Sequence, residues 1–269
     1  MTNWLAILEA CSQEMRKEIL TLFGSAEAKT GFGIGAGGDV TKGIDLAAEN
    51  ALIQTLQESD VSCTLISEEA GTKEVGLNPS SFYLTTDPLD GTTNALRGAP
   101  FTAISLAVSK RPYLRDVETA LVCDPIHNVT YTAEQGEGAF RNHRKIQAPS
   151  TTSLEDAVMG VDFNTLQMRE NMQQLIPLLE KTKHLRHFGA NALEICYIAD
   201  GKTDAFIDIR GKLRVTDIAA AYLILREAGG IMVTPDGNEL NVTLDATQRV
   251  AFIAAANKTL YTDIQKLLR

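Results

Sequence analysis

A chain of 269 residues with 44% hydrophobic content can bury a substantial core, as one large domain or two small ones, and this excludes disorder as the default. A formal net charge of −9 without a Lys/Arg stripe argues against nucleic acid as a partner, because duplex affinity comes largely from cationic contacts to phosphates. The most hydrophobic stretch, Ile218 to Leu225, ends at Arg226-Glu227, well short of the roughly 18 apolar residues a membrane span needs, so a soluble protein with no membrane partner is expected.

Residues 1–23 lack the basic start and unbroken apolar core of a signal peptide, and Leu5, Ile7, Leu8, Met15, Ile19 and Leu22 recur as a helix face does. A helix over 3–22 and a cytoplasmic location are therefore expected. The loop Thr30 to Asp39 is glycine-rich and reads as a mobile flap ahead of a second helix over 42–58, where Ile44, Ala48, Ala51, Leu52 and Leu56 share a face. Strand signals then dominate, at 63–66, 82–86, 102–109, 119–123, 129–133 and 138–140, and suggest an antiparallel sheet. After the polar break at 147–153, helices are expected over 168–183, 191–200, 216–228 and 258–268, with short strands at 205–209 and 250–254. A boundary near residue 150 separates a helix-plus-antiparallel-sheet subdomain, 1–150, from an α/β subdomain, 151–269. Cys11, Cys63, Cys123 and Cys196 form no C-x-x-C pair and suit reduced thiols in a cytosol.

Two acidic strings carry the chemistry. Ser67-Glu68-Glu69 ends one apolar run, and Asp87-Pro88-Leu89-Asp90-Gly91-Thr92-Thr93-Asn94 ends the next. If the two strands are neighbours, Glu68, Asp87 and Asp90 meet at one sheet edge. Pro88 bends the chain so that both aspartates converge and the Leu89 carbonyl turns inward. These are hard oxygen donors of the kind Mg²⁺ prefers, and the Gly91-Thr92-Thr93 turn offers backbone N–H groups to a phosphate. A third string, Thr216-Asp217-Ile218-Ala219-Ala220, reads by itself as a helix start, with Thr216 as cap and Asp217 suited to the first-turn dipole. Asp217 is also the one further carboxylate that could close the acidic site from the far side of the cleft.

Glu68-Glu69, Asp87 to Asn94, Thr216 to Ala220 and Glu227-Ala228-Gly229-Gly230 occur in the order and spacing of the inositol monophosphatase family, and the resemblance spans nearly the whole chain. Ile34-Gly35-Ala36, Thr41 to Asp45 and Phe206 to Asp217 most resemble the archaeal-type branch, whose members hydrolyse both fructose 1,6-bisphosphate and inositol 1-phosphate. The resemblance implies a layered α/β sugar-phosphatase fold and a Mg²⁺-dependent phosphomonoesterase using two to three ions. It implies that Glu68, Asp87 and the Leu89 carbonyl hold the first ion, Asp87, Asp90 and Asp217 the second, and Glu68 a loosely held third. Asp45 matches a position that orients the attacking water together with Thr92. Gly91, Thr92 and Thr93 would donate to the phosphate oxygens, Asp90 is counted with them among the substrate-binding residues, and a homodimer is expected because family members commonly form one.

Three departures bear on substrate more than on chemistry. Gly189-Ala190 lacks a hydroxyl often found there, Thr216 replaces a tryptophan common in the wider family, and Gly37 stands where the flap aspartate usually follows Gly-Ala, with an acid instead at Asp39. Arg210, Lys212 and Arg214 alternate, so in an extended segment they point the same way, a row suited to a second phosphate. Arg186 is a further candidate for a sugar-phosphate contact. A phosphorylated sugar or cyclitol is thus the expected small-molecule partner. The alternatives are a 3′(2′),5′-bisphosphate nucleotidase or NADP phosphatase, and a catalytically silent binding protein of the same fold. Gly33 to Gly38 fits G-x-G-x-x-G without a preceding strand, and the four histidines have no zinc spacing, so neither points to a cofactor.

Overall fold

A computed structural model of the chain describes residues 2–77, 81–164 and 168–268. It opens with α1 (Trp4–Leu22), β1 (Gly31–Ile34), β2 (Val40–Lys42) and α2 (Gly43–Glu58). The first large sheet follows: β3 (Cys63–Ser67), β4 (Gly71–Val75), β5 (Tyr83–Asp90), the short helix α3 (Thr92–Arg97), β6 (Ala103–Ser109), β7 (Val117–Asp124), β8 (Val129–Glu134), β9 (Gly138–Arg141) and β10 (Arg144–Ile146). The remainder is β11 (Val158–Val161), α4 (Met168–Leu179), β12 (His184–Arg186), α5 (Asn191–Ala199), β13 (Ala205–Arg214), α6 (Ala219–Glu227), β14 (Ile231–Val233), β15 (Arg249–Ala255) and α7 (Lys258–Leu267).

These elements stack as alternating helix and sheet layers. Leu8, Cys11, Met15 and Ile19 of α1 and Ile44, Ala48, Leu52 and Leu56 of α2 pack on one face of an eight-stranded sheet of order β10-β9-β8-β7-β6-β5-β3-β4. α5 and α6 cover its other face. Ala219 to Leu225 are all buried, which is why this stretch is apolar all round, as a helix between two sheets must be. The second sheet, of order β12-β11-β13-β15-β14, has its other side closed by α4 and α7. Among the described residues no helix is long and apolar enough to cross a membrane.

The first sheet is antiparallel except at one junction, where β3 and β5 run parallel and pair Ser67 with Thr86. That exception matters most for the site, because the residues that follow the Ser67–Thr86 pair, Glu68 just past β3 and Asp87 within β5, come side by side. A one-residue bulge follows in β5: Asp87 pairs with Ser105 and Asp90 with Ala103 across β6. The extra residue lies at the Pro88-Leu89 step, where a missing N–H costs the ladder least. Strands β4, β10, β11, β12 and β14 go beyond the sequence expectations. They are three to five residues long, too short for periodicity to register.

Two local expectations are corrected. The glycine-rich segment is folded rather than loose: β1 and β2 form an antiparallel hairpin whose tip docks on the chain after β3, through Ala36 N–H to Glu69 O (3.0 Å) and Gly37 N–H to Glu68 O (2.7 Å). Nor is Thr216 a helix cap. α6 begins at Ala219, and the Thr216 hydroxyl donates to its neighbour Asp217 instead (3.1 Å).

Candidate active site

The cavity at the carboxyl ends of β3, β5 and β13 has a volume of about 1000 Å³ and gathers residues from across the chain, from Asp39 to Arg249. Glu68, Asp87 and Asp217 bring one carboxylate oxygen each to within 4.8 Å of one another. Asp90 joins them from beyond the bulge, and Leu89 lies in the same wall. All four carboxylates line one cavity, although Asp217 comes from a different sheet.

Each acid is held by neighbours. Asp87 Oδ1 accepts from the Leu89 N–H (3.0 Å), which folds the bulge onto its own first residue. Asp90 Oδ2 accepts from the Ala192 N–H at the start of α5 (2.6 Å), so one ligand candidate is fixed by the layer beneath the sheet. Asp217 Oδ2 accepts from the Arg214 N–H (2.9 Å). Burial pushes the Asp87 and Asp90 carboxyls well above the usual range, Asp87 being raised further by Glu68 and Asp90, and Asp90 by Asp217. Burial also raises Glu68, with Asp217 adding to it and Arg214 opposing. Three buried aspartates and a half-buried glutamate that repel one another are an expensive arrangement unless a cation sits among them. The donors are all hard oxygens, three of them on aspartates only 4–5% exposed, which fits a small divalent ion such as Mg²⁺.

Beside the cluster lies a hydrogen-bonded pair, Asp45 and Thr92. The Thr92 hydroxyl stands 3.0 Å from both Asp45 Oδ1 and the Leu89 carbonyl. Asp45, in the first turn of α2, also accepts from the Lys42 N–H (3.0 Å), and burial raises its carboxyl to about 7 despite these two donors. α3 starts at Thr92 after Gly91, whose φ of +85° makes the turn that aims the first-turn N–H groups at the cavity. A side chain at Gly91 would also press on Ala190 and the Gly189 carbonyl, so the Gly189-Ala190 pair serves close packing here.

The basic row turns out differently from the expectation of three residues pointing the same way toward a second phosphate. Arg210, Lys212 and Arg214 all line the cavity, but a register shift in β13 between Asp208 and Leu213 breaks the strict alternation. Arg210 is almost fully buried and donates to Asp162 (2.5 Å), to both oxygens of Asp208 (2.9 and 2.6 Å) and to the Asn164 carbonyl (2.7 Å). Arg214 is paired with Glu68 (2.8 Å) and with Asp39. Lys212 alone of the three is exposed and without an ion pair among the described residues. Arg186 is exposed, donates to its neighbour's carbonyl at Leu185, and is absent from the cavity lining.

Several supporting residues escaped the sequence reading. Glu49, one helical turn after Asp45 on α2, accepts from the Ser67 hydroxyl and the Ala70 N–H (3.2 Å) and fixes the turn that carries Glu68. Its i,i+4 spacing from Asp45 was the available signal. Asn94 Nδ2 donates to the carbonyls of Phe101 (2.8 Å) and Phe188 (2.7 Å), and Glu194 accepts from the Phe188 and Gly189 N–H groups, with burial raising its carboxyl to about 7. These contacts join distant segments, which no local pattern reveals.

Comparison with known proteins shows the family and the fold. A fructose-1,6-bisphosphatase/inositol-1-monophosphatase of Methanothermobacter thermautotrophicus is 33% identical over 98% of this chain and 96% of its own. A bifunctional NADP phosphatase/NAD kinase of Methanococcus maripaludis is 32% identical over 91% of this chain but only 45% of its own. The solved structure of an inositol monophosphatase–fructose 1,6-bisphosphatase superposes with a TM-score of 0.86 at 31% identity, covering 99% of this chain and all of that one. The model of the inositol monophosphatase family matches residues 3–269, and the chain belongs to that family of metal-dependent phosphatases.

Proposed function

We propose that this protein is a Mg²⁺-dependent phosphomonoesterase acting on fructose 1,6-bisphosphate and inositol 1-phosphate. The observation that carries the reading is the convergence of Glu68, Asp87 and Asp217 beside the Asp45–Thr92 pair in one large cavity. We assign two ions to Glu68, Asp87, Asp90, Asp217 and the Leu89 carbonyl. Bound there, magnesium would activate water and neutralise the charge that builds on the phosphoryl oxygens.

The chain's own residues supply the rest. A threonine hydroxyl has one proton and two lone pairs, so Thr92, while donating to Asp45 Oδ1, can still accept from a water in the cavity. As that water attacks, its proton passes to Thr92 Oγ and the Thr92 proton to Asp45 Oδ1. Gly91, Thr92 and Thr93 present backbone donors to the phosphate oxygens. With Arg210 and Arg214 neutralised by acids, Lys212 is our candidate for a second phosphate.

Phosphate release by the purified protein with Mg²⁺ and with EDTA tests the reading, on fructose 1,6-bisphosphate, inositol 1-phosphate and NADP. Metal-dependent turnover of the first two is expected. The NADP phosphatase relative favours a second reading, which preference for NADP would establish. Mg²⁺ binding without any turnover would instead leave a binding protein of the same fold.

A further inference from the structure

The flap and the acidic cluster are joined by a guanidinium. Arg214 reaches from the end of β13 to Glu68 Oε1 with Nη1 (2.8 Å) and to the Asp39 carboxylate with Nη2, and its Nε donates to the Gly37 carbonyl (3.2 Å). Arg249 donates to the same carbonyl (2.6 Å). From the other side the flap is tied to the chain after β3 by the backbone bonds of Ala36 and Gly37 and by the Thr41 hydroxyl on Glu69. The contact is intimate. A Cβ at Gly37 would run into Arg214 Nε and lie 2.9 Å from both Arg214 Cζ and Glu68 Cγ, so this position takes glycine because the flap rests directly on the Arg214–Glu68 pair.

We propose that Arg214 is the cation that latches the flap to the acidic cluster, so that the flap closes in this protein without an additional metal ion shared between them. Asp39 is exposed over 80% of its side chain and is paired with this arginine at the rim of the cavity. Glu68 is the ligand candidate nearest the flap, and one of its oxygens is engaged by Arg214. The guanidinium is planar, permanently charged and anchored at its backbone by Asp217, which makes it a fixed positive centre between two acids. Arg214 is thus a positioning residue: it acts on the flap and on Glu68.

The test is hydrogen exchange of the full chain in EDTA, read by mass spectrometry on the peptide covering residues 31–41. In the wild type this peptide is protected without metal. Arg214→Gln should speed its exchange at least tenfold, and Asp39→Asn by a smaller factor, with exchange elsewhere unchanged. Calorimetric titration with Mg²⁺ gives the second readout: Arg214→Gln should bind one ion more per chain than the wild type, since Glu68 and Asp39 are then both released, whereas Asp39→Asn should not. Should Arg214→Gln fail to fold, Asp39→Asn decides alone, because an exposed carboxylate can be neutralised without disturbing the core. Unchanged flap exchange in the foldable variants, or a wild-type flap protected only once Mg²⁺ is added, would overturn the latch. The Mg²⁺ count rests on the phosphatase reading and the exchange experiment does not: a wild type that binds no Mg²⁺ counts against that reading and leaves the latch to be judged by exchange.

Discussion

The ends of β5 and β13 face the same cavity with opposite charge economies. At the end of β5, Asp87 and Asp90 are buried among other acids and, among the described residues, have no ion-pair partner. At the end of β13, acids and arginines are interleaved: Arg210 between Asp162 and Asp208, Arg214 between Glu68 and Asp39. The first end is incomplete without a cation from solution, while the second carries its own. The difference separates charge kept for chemistry from charge that holds the molecule together.

The largest effect should come from neutralising an acid at β5. Asp90→Asn removes a ligand candidate but keeps an oxygen for the Ala192 N–H, so turnover should fall by about four orders of magnitude, on the order of 5 kcal/mol, with the melting temperature unchanged or raised. Retained activity would sink the site assignment. The mirror experiment at β13 should do the reverse. Arg210→Leu leaves Asp162 and Asp208 buried and unpaired, and urea unfolding should report a loss of about 3–5 kcal/mol. If the Arg210 variant is as stable as the wild type, the clamp is not structural and the contrast between the two ends fails.

The β5 end was legible in the sequence and the β13 end was not, for a physical reason. Asp87, Pro88, Asp90 and Gly91 lie within five residues, so the bulge and the turn that aim them are local events encoded in local chemistry. The helix faces of α1 and α2 were legible for the same reason, since periodicity acts within a turn or two. The fate of Arg210 was decided by Asp162, a residue 48 positions earlier just past the neighbouring strand β11, and that of Arg214 by a flap 175 positions away. The three basic residues do line one cavity, but the register shift in β13 breaks their alternation, and the pattern could not say that two of the three charges were already spent. Likewise Glu49 and Asn94 hold the site through partners that only the folded topology brings near.

Metal should distinguish the two ends by a smaller amount. Mg²⁺ at a hundredfold its dissociation constant should add about 2.7 kcal/mol of stability, seen as a rise in melting temperature that EDTA reverses. The size of that rise should depend on pH. Burial lifts Asp45 to about 7, and Asp87 and Asp90 are also raised, whereas in the unfolded chain aspartates titrate near about 4. A raised carboxyl favours the protonated folded state: its contribution is fully present below the unfolded value and is lost as pH rises through the folded one. The metal-free protein should therefore lose stability from about pH 4 to beyond about pH 7, and the gain on adding Mg²⁺ should grow across that window. A metal-induced shift that is flat with pH would mean that the ion binds away from these acids.

The smallest effect should be at Lys212, and it discriminates most finely. Because Arg210 and Arg214 are engaged by carboxylates, the attraction that β13 offers to a second phosphate comes down to one exposed ammonium. Exposed charge pairs contribute less than about 1 kcal/mol and are screened by salt. Lys212→Gln should then raise the KM for fructose 1,6-bisphosphate about threefold at low ionic strength, leave kcat unchanged, and leave inositol 1-phosphate, which has a single phosphate, untouched. The difference between the two substrates should vanish near 0.5 M salt, where the screening length is only about 4 Å. A loss on both substrates would place Lys212 at the reacting phosphate. No loss on either would mean that the second phosphate is recognised elsewhere, and that the β13 end serves only to hold its own charges in place.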